Sequence, residues 1–452
     1  MIPAQMFLSF VQTTDMTKLA ATLLFLSIVF SRTTVSAQHQ LIKAGKLFNS
    51  ETGVFQTGMV ILITRNTIDT VKAEKDLTAA EKEKYKLIDL SAFTVLPGLI
   101  DCHTHLLYKE IVWPNNNEPS LDMTRTLTLD GDAYRALYGA ARAKAYLEEG
   151  ITTVQDLGNS GQFGDIALRR AISEGLVPGP RMRCSGPGLS TEGGQLPHTI
   201  FKHQDLVKDE YRVVKSVDDA IQAVRENVNQ GATVIKIFAN NTPNNTMLRV
   251  EEIKAIVEEA HRYNIRVTAH ATNSRSVYNA VTGGVDGIEH GYQIEDSVLD
   301  LMKKRNVFLV PTDPDSLTML QYIKQDNPAD SGMVVEYMKG MRSPQSRLLR
   351  AYHKGVLIAA GSDDYIDFKM PFSAPSKRTL VGYNQAGIPV NDVLKFATIN
   401  AAKQVNYANK LGVIKKGYWA DIIAVDADLE KNIEAIMNVH FVMKEGKIIR
   451  KE

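Results

Sequence analysis

His103 and His105 stand one residue apart at the close of the apolar run LPGLIDCHTHL, residues 96–106, and that spacing is suited to chemistry. Side chains alternate across a β-strand, so residues i and i+2 share a face. If the run is a strand, the two imidazoles converge on one side while Cys102 and Thr104 point to the other. Two neutral imidazoles on one face can hold a divalent cation. Taken alone, such a pair is more often a core feature than a ligand pair. Three further residues alter that weighing: His270 in IRVTAHAT, His290 in DGIEHG and Asp363 in VLIAAGSD. Each lies towards the C-terminal end of an apolar, strand-like run. Of ten histidines in the chain, four fall at such ends, which scattered structural histidines would not do.

Lys236 is the awkward member of the group. It lies within VIKIF, among residues that favour burial, and a bare ammonium is expensive to bury without a partner. Either its stem runs along the strand and the charge reaches the rim, or the amine is neutral. A neutral lysine can take up carbon dioxide as a carbamate, a carboxylate-like group able to bridge two cations.

Two textures of chain would have to position these residues. From 97 to about 400, apolar runs alternate with helical patterns, which signals βα units and a parallel sheet. Eight strand candidates follow one another: LPGLIDCH, ITTVQDLG, RMRCSG, TVIKIFAN, IRVTAHAT, DGIEHG, VFLVPTD and VLIAAGSD. Between the fourth and fifth, VEEIKAIVEEAHRY sets Ile253, Ile256, Val257 and Ala260 at helical spacing. The pattern predicts a distorted (β/α)8 TIM barrel, whose chemistry belongs at the C-terminal ends of its strands. Both ends of the chain carry short strands and turns instead, with the polar AEKDLTAAEKEKY as a surface excursion. They predict a small β-sandwich formed from both termini. The expected division is 1–37 leader, 38–96 and 405–452 sandwich, and 97–404 barrel.

The leader rests on Lys18, the short apolar run LAATLLFLSIVF and the small-residue stretch ending at Ala37. A spanning helix needs ~20 apolar residues, so the expectation is export, periplasmic or secreted, with no membrane attachment after cleavage. Met1, Met6 and Met16 serve equally as starts. The formal net charge is +1 with no basic block, which speaks against a nucleic-acid partner. Cys102 and Cys184 are the only cysteines, too few for a disulfide framework or a thiolate cage.

The phrases LPGLIDCHTHL, GITTVQDLG, GATVIKIFAN, GVDGIEHG, GSD and KKGYWADIIAVD resemble the amidohydrolase superfamily, specifically its imidazolonepropionase-like branch. That branch includes Xaa-Pro dipeptidase-like and Xaa-Arg/Lys carboxypeptidase-like enzymes. The resemblance runs from about residue 40 to the C-terminus. It implies two divalent metal ions, Zn2+ foremost: His103, His105 and Asp363 on one, His270 and His290 on the other. A carbamylated Lys236 and a hydroxide would bridge both. The implied reaction is hydrolysis of a peptide-like amide in a small-molecule or dipeptide-like substrate, with Asp363 as general base and then general acid. A homo-oligomer is compatible with it. A mononuclear deaminase or cyclic-amide hydrolase, with Lys236 idle, is the alternative within the superfamily. A non-catalytic binding barrel would be expected to have lost ligands, and all six are present.

Substrate contacts should come from loops after the strands. Tyr292 is placed to hydrogen-bond a substrate carbonyl, Tyr108 less well. Glu192, Gln195 and His198 lie in GLSTEGGQLPH, a ligand loop or a plain turn, and His203 reads as a loop residue. Asp313 and Asp315 in PTDPDS would recognise a cation or be turn residues. His261, His353 and His440 read as structural. Thr272 in HATN, where relatives often carry a histidine or aromatic, and GGQLPH in place of a GGHGD-like run depart from the family pattern in substrate territory.

Overall fold

Strand formation follows the two textures. The computed structural model describes residues 39–111, 123–196, 199–242, 244–326 and 342–451. The expected leader and His198 lie outside the described residues. The N-terminal strands are β1 (His39–Asn49), β2 (Val54–Thr57), β3 (Met59–Thr64), β4 (Thr67–Ala73) and β5 (Lys86–Pro97). The parallel strands are β6 (Leu99–Thr104), β7 (Ile151–Asp156), β8 (Arg181–Cys184), β9 (Gly188–Ser190), β10 (Tyr211–Val213), β11 (Ile235–Phe238), β12 (Val267–Ala271), β13 (Gly287–His290), β14 (Phe308–Val310) and β15 (Leu357–Ile358). At the C-terminal end come β16 (Ile422–Val425), β17 (Val439–Lys444) and β18 (Lys447–Lys451).

Strands from both termini join in one sheet, in the order β18-β17-β16-β5-β1-β3-β4, with β2 on β1. The expected sandwich is therefore one continuous hydrogen-bonded sheet. β1 and β5 run in parallel and their register shifts between Ala44 and Lys46. At Gly45 a Cβ would lie 2.3 Å from the Ser91 carbonyl oxygen, so only glycine admits this close approach. Ile61 and Ile63 of β3 share one buried cluster with Phe441 and Met443 of β17, so the sheet wraps around its own core. Its polar excursion is the helix Ala79–Lys84, with no buried residue. Thr78 caps it: its hydroxyl accepts from the Glu81 N–H at 3.2 Å, and the Glu81 carboxylate accepts from the Thr78 N–H at 2.9 Å.

All eight parallel strand candidates form. They fall into two sheets, β6-β7-β8 and β10-β9-β11-β12-β13-β14-β15, in a TIM-barrel-like α/β arrangement. The eighth strand is only two residues long, and β9 and β10 add a short parallel pair within what reads as a loop after strand three. Backbone hydrogen bonds run between the sheets at both seams. Thr233 N–H donates to the Cys184 carbonyl at 2.8 Å, Cys102 N–H to Ala360 at 2.9 Å, and Asp363 N–H to His103 at 2.8 Å. The helix Val250–Arg262 buries Ile253, Ile256, Val257 and Ala260, the stripe its spacing predicts. Cys102 and Cys184 are buried free thiols. Among the described residues, no helix is long and apolar enough to cross a membrane.

Candidate metal centre and active site

The ends of β6, β11, β12 and β13 and the segment after β15 meet over one cavity of about 500 Å³. His103 and His105 point to the same face, their Nε2 atoms 3.2 Å apart. Asp363 Oδ1 lies 3.1 Å from His105 Nε2 and 3.4 Å from His103 Nε2, and its Oδ2 lies 3.8 Å from His290 Nδ1. One ligand atom each from His103, His105 and Asp363 falls within 4.8 Å of the others, a geometry that could hold a metal ion. The His290 ring centroid is 5.1 Å from that of His103 and 4.7 Å from that of His270. Lys236, 1% exposed, points its Nζ to within 3.4 Å of His103 Nε2. The six residues named from sequence therefore line one space, together with Tyr292, Tyr108 and Gln195.

Burial sets the protonation of this cluster. It pushes His103, His270 and His290 well below the usual imidazole range, with nearby cationic groups adding to the effect. Neutral imidazole is the form that binds a metal. Burial likewise lowers Lys236, while Glu289 and Asp363 pull the other way. Asp363 is held below the ordinary carboxylate value: burial alone would raise it, but His103, His105 and Lys236 outweigh that.

Supporting residues that the sequence did not single out hold the candidate ligands in place. Glu289, fully buried, accepts from His103 Nδ1 at 2.7 Å and from the Thr268 hydroxyl. That bond leaves His103 Nε2 facing the cavity, the usual way a carboxylate orients a metal-binding imidazole. His105 is oriented the same way by the Gly158 carbonyl at 2.9 Å, and His290 by the Thr312 hydroxyl at 2.8 Å. Asp101 accepts from the His103 N–H at 3.0 Å and from the hydroxyls of Ser362 and Ser376, both at 2.6 Å. It thereby pins β6 to the segment carrying Asp363. His290, Thr312 and Asp363 all have positive φ, at 68°, 59° and 54°. Backbone strain of this kind persists where surrounding structure enforces it, often at functional sites.

Two expectations about cation recognition fall away. Asp313 is buried against Arg347 at 2.5 Å, and Asp315 against Arg378 at 2.5 Å while capping the Thr318 N–H at 2.8 Å. Both carboxylates tie the loop after β14 to internal arginines. In the loop after β9, Gln195 reaches the site, its Nε2 3.2 Å from His270 Nε2. Glu192 contributes only its carbonyl, to Asn241 and Thr246. His203 lies in the short turn Phe201–His203, away from the cavity. His261 pairs with Asp286 at 2.9 Å and His440 with Asp426 at 2.7 Å, structural as expected. Tyr292 lines the cavity with 40% of its surface exposed.

The model of the Amidohydrolase family matches residues 94–449, most of the chain and every one of these candidate site residues. The chain belongs to the amidohydrolase family. This amidohydrolase is 26% identical over 460 residues to ochratoxinase of Aspergillus niger, covering 92% of this chain and 88% of that protein. It is 23% identical over 388 residues to imidazolonepropionase of Caldanaerobacter subterraneus subsp. tengcongensis, covering 77% and 79%. A solved Xaa-Pro dipeptidase with bound methionine superposes with a TM-score of 0.75 at 28% identity, covering 91% of this chain and 99% of that one. The amidohydrolase is thus a metal-dependent hydrolase of carbon–nitrogen bonds, and its buried nitrogen and carboxylate donor set fits such a metal.

The role of Glu289 in the amidohydrolase has a direct consequence. Glu289→Gln keeps the side-chain shape but no longer favours the Nδ1–H tautomer of His103. Metal affinity should fall about 10- to 100-fold, read by competition with a chromogenic chelator, with little change in the far-UV spectrum. Unchanged affinity would show that Glu289 does not orient His103.

Proposed function

We propose that this chain is an exported, binuclear metallohydrolase that cleaves a peptide-like amide in a dipeptide or N-acyl amino acid. The observation that carries the reading is the convergence of His103, His105, His270, His290 and Asp363 with a buried lysine on the floor of one cavity. Lys236 is otherwise unexplained: it lies inside the cluster, where a cationic ammonium would repel any metal. As a carbamate it would supply the anionic group that a pair of cations needs, and His103, His105, Asp363, His270 and His290 are the residues that would hold them. The backbone bonds at both seams support a closed eight-stranded barrel that fixes these side chains from separate strands. The names of the relatives, an ochratoxinase, imidazolonepropionases and an Xaa-Pro dipeptidase, are compatible with an amide substrate.

Two divalent ions, zinc foremost, would supply a polarised scissile carbonyl and a nucleophile drawn from water near neutral pH. The chain's own residues do the rest. Asp363 is anionic and reaches across the ligand cluster, so it accepts the proton of the attacking water and returns it to the leaving nitrogen. Tyr292, at the cavity wall beside His290, donates a hydrogen bond to the substrate carbonyl. Gln195, held at His270, stands where it can meet the amide. Export follows from the leader-like segment before residue 38 and is tested by the N-terminus of the secreted protein.

The test of the reaction is a dipeptide and N-acyl amino acid panel on zinc- and manganese-loaded protein. Turnover of at least one panel member, abolished by chelator and restored by metal, is the expected result. Turnover confined to lactones or cyclic amides would overturn the peptide-like assignment.

A further inference from the structure

Two segments far apart in the chain meet at one edge of the site: β6 with its extension carries His103 and His105, and the segment after β15 carries Asp363. Asp363 adopts a positive φ of 54°, a conformation that surrounding structure has to enforce. Its neighbours are clamped on both sides. Asp101 holds Ser362, accepting its N–H at 3.0 Å and its hydroxyl at 2.6 Å. The second clamp closes on Asp364 from the helix Asp132–Glu148. Arg142 of that helix, 2% exposed, donates from Nη2 to the Asp364 carbonyl at 2.5 Å and pairs with Asp364 Oδ2 at 2.9 Å. Its Nη1 donates to the carbonyls of His105 at 2.8 Å and Tyr108 at 3.0 Å. Tyr146, one helical turn on, donates its hydroxyl to the same Asp364 carboxylate at 2.7 Å.

We infer that Arg142 is a positioning residue for the metal centre: it ties the backbone of His105 to that of Asp364 and so holds the His105 imidazole and the Asp363 carboxylate at ligand spacing. The inference rests on the metal-centre reading above and adds to it a residue that does not line the cavity. The planar guanidinium presents its N–H groups in fixed directions, so one side chain can fix three carbonyls drawn from two segments. Stability alone does not account for an arginine here. Among the described residues its buried Nε–H has no acceptor, which is destabilising, and apolar side chains often replace buried ion pairs without loss. Arg135, on the same helix, supplies the comparison. It is also buried, pairs with Glu210 at 2.5 Å and donates to the carbonyls of Leu107 at 3.2 Å and Asn159 at 2.6 Å. Its partners lie on the loops after β6 and β7 and on the helix before β10, not on the segment that carries Asp363.

The test uses the full chain and reads zinc affinity by competition with a chromogenic chelator, which needs no substrate. Arg142→Lys keeps a cation facing the Asp364 carboxylate but loses the fork that spans three carbonyls. Arg142→Met combined with Asp364→Asn removes both buried charges together, so neither is left unpaired. Both proteins should keep the wild-type far-UV spectrum and bind zinc about 10- to 100-fold more weakly, the usual effect of losing a ligand's support. On any substrate that the wild type cleaves, kcat should fall about 10²-fold, the scale of a ~1 Å misplacement, with KM little changed. Arg135→Met combined with Glu210→Gln removes a comparable buried pair and should leave zinc affinity within about twofold. Wild-type zinc affinity in both Arg142 variants overturns the inference, as does an equal loss in the Arg135 pair. Failure of both Arg142 variants to fold overturns it too, since Arg142 would then serve the fold and not the metal centre. A wild type that binds zinc but cleaves no amide leaves Arg142 in its role while the amide reading fails.

Discussion

Asp363→Asn should lower kcat by about 10²- to 10⁴-fold, the usual contribution of a positioned acid–base group. Asparagine matches aspartate in shape, and it tolerates the positive φ of 54° that residue 363 adopts better than other residues do. The backbone bond from residue 363 to the His103 carbonyl needs no side chain. The fold and cavity should therefore survive, with a melting temperature close to that of the wild type. What disappears is the anionic oxygen lying 3.1 Å from His105 and 3.4 Å from His103. An amide cannot accept the proton of the attacking water, and it is a poorer metal ligand. Steady-state kinetics on whichever amide the wild type cleaves fastest gives the answer. A variant with more than about a tenth of wild-type kcat would remove Asp363 from the proton path.

Lys236→Met should separate activity from stability. A carbamate bridge makes Lys236 indispensable to the second cation, so the variant should lose about 10³-fold or more in kcat, on the scale of losing a Lewis acid worth several kcal/mol. The same change removes a polar group from a site where burial disfavours its charged form. Methionine has a similar length and no ammonium to desolvate. Replacing buried charge by apolar side chains is often neutral or stabilising by about 1–4 kcal/mol. The metal-free variant should therefore melt at or above the temperature of the metal-free wild type in calorimetry. Lost activity with a lower melting temperature would mark Lys236 as a structural cation. Retained activity would end its role as a bridge.

Much of this site was legible in sequence because strand periodicity and strand ends are local signals. The i and i+2 positions of His103 and His105 fix a shared face, and His270, His290 and Asp363 announce themselves at the ends of apolar runs. Lys236 was legible as a contradiction, a charge inside VIKIF. What escaped was set by contacts far apart in the chain. Asp313 finds Arg347 34 residues on, and Asp315 finds Arg378 63 residues on. No local reading of PTDPDS could therefore distinguish ligand-binding acids from structural ones. Glu289 escaped for a geometric reason: alternation places it opposite its neighbour His290. The positive φ of His290 breaks that alternation, so both side chains reach His103.

The fold was read at a similar grain. Eight strands and the buried stripe of Val250–Arg262 follow from periodicity. The short pair β9 and β10 does not, because three residues are too few to show a period. The terminal strands were legible as β-structure, but their union into a single wrapped sheet depends on the bulge at Gly45, where Ser91 approaches too closely for any side chain.

Metal stoichiometry separates a binuclear site bridged by Lys236 from a mononuclear one. Protein expressed and purified with zinc and bicarbonate, then desalted, is measured by inductively coupled plasma mass spectrometry alongside Lys236→Met. About two zinc ions per wild-type chain and no more than one in the variant are expected, with the wild-type value falling when bicarbonate is withheld during metal loading. One zinc per chain in both proteins, indifferent to bicarbonate, would contradict it and leave a mononuclear site built on His103, His105 and Asp363.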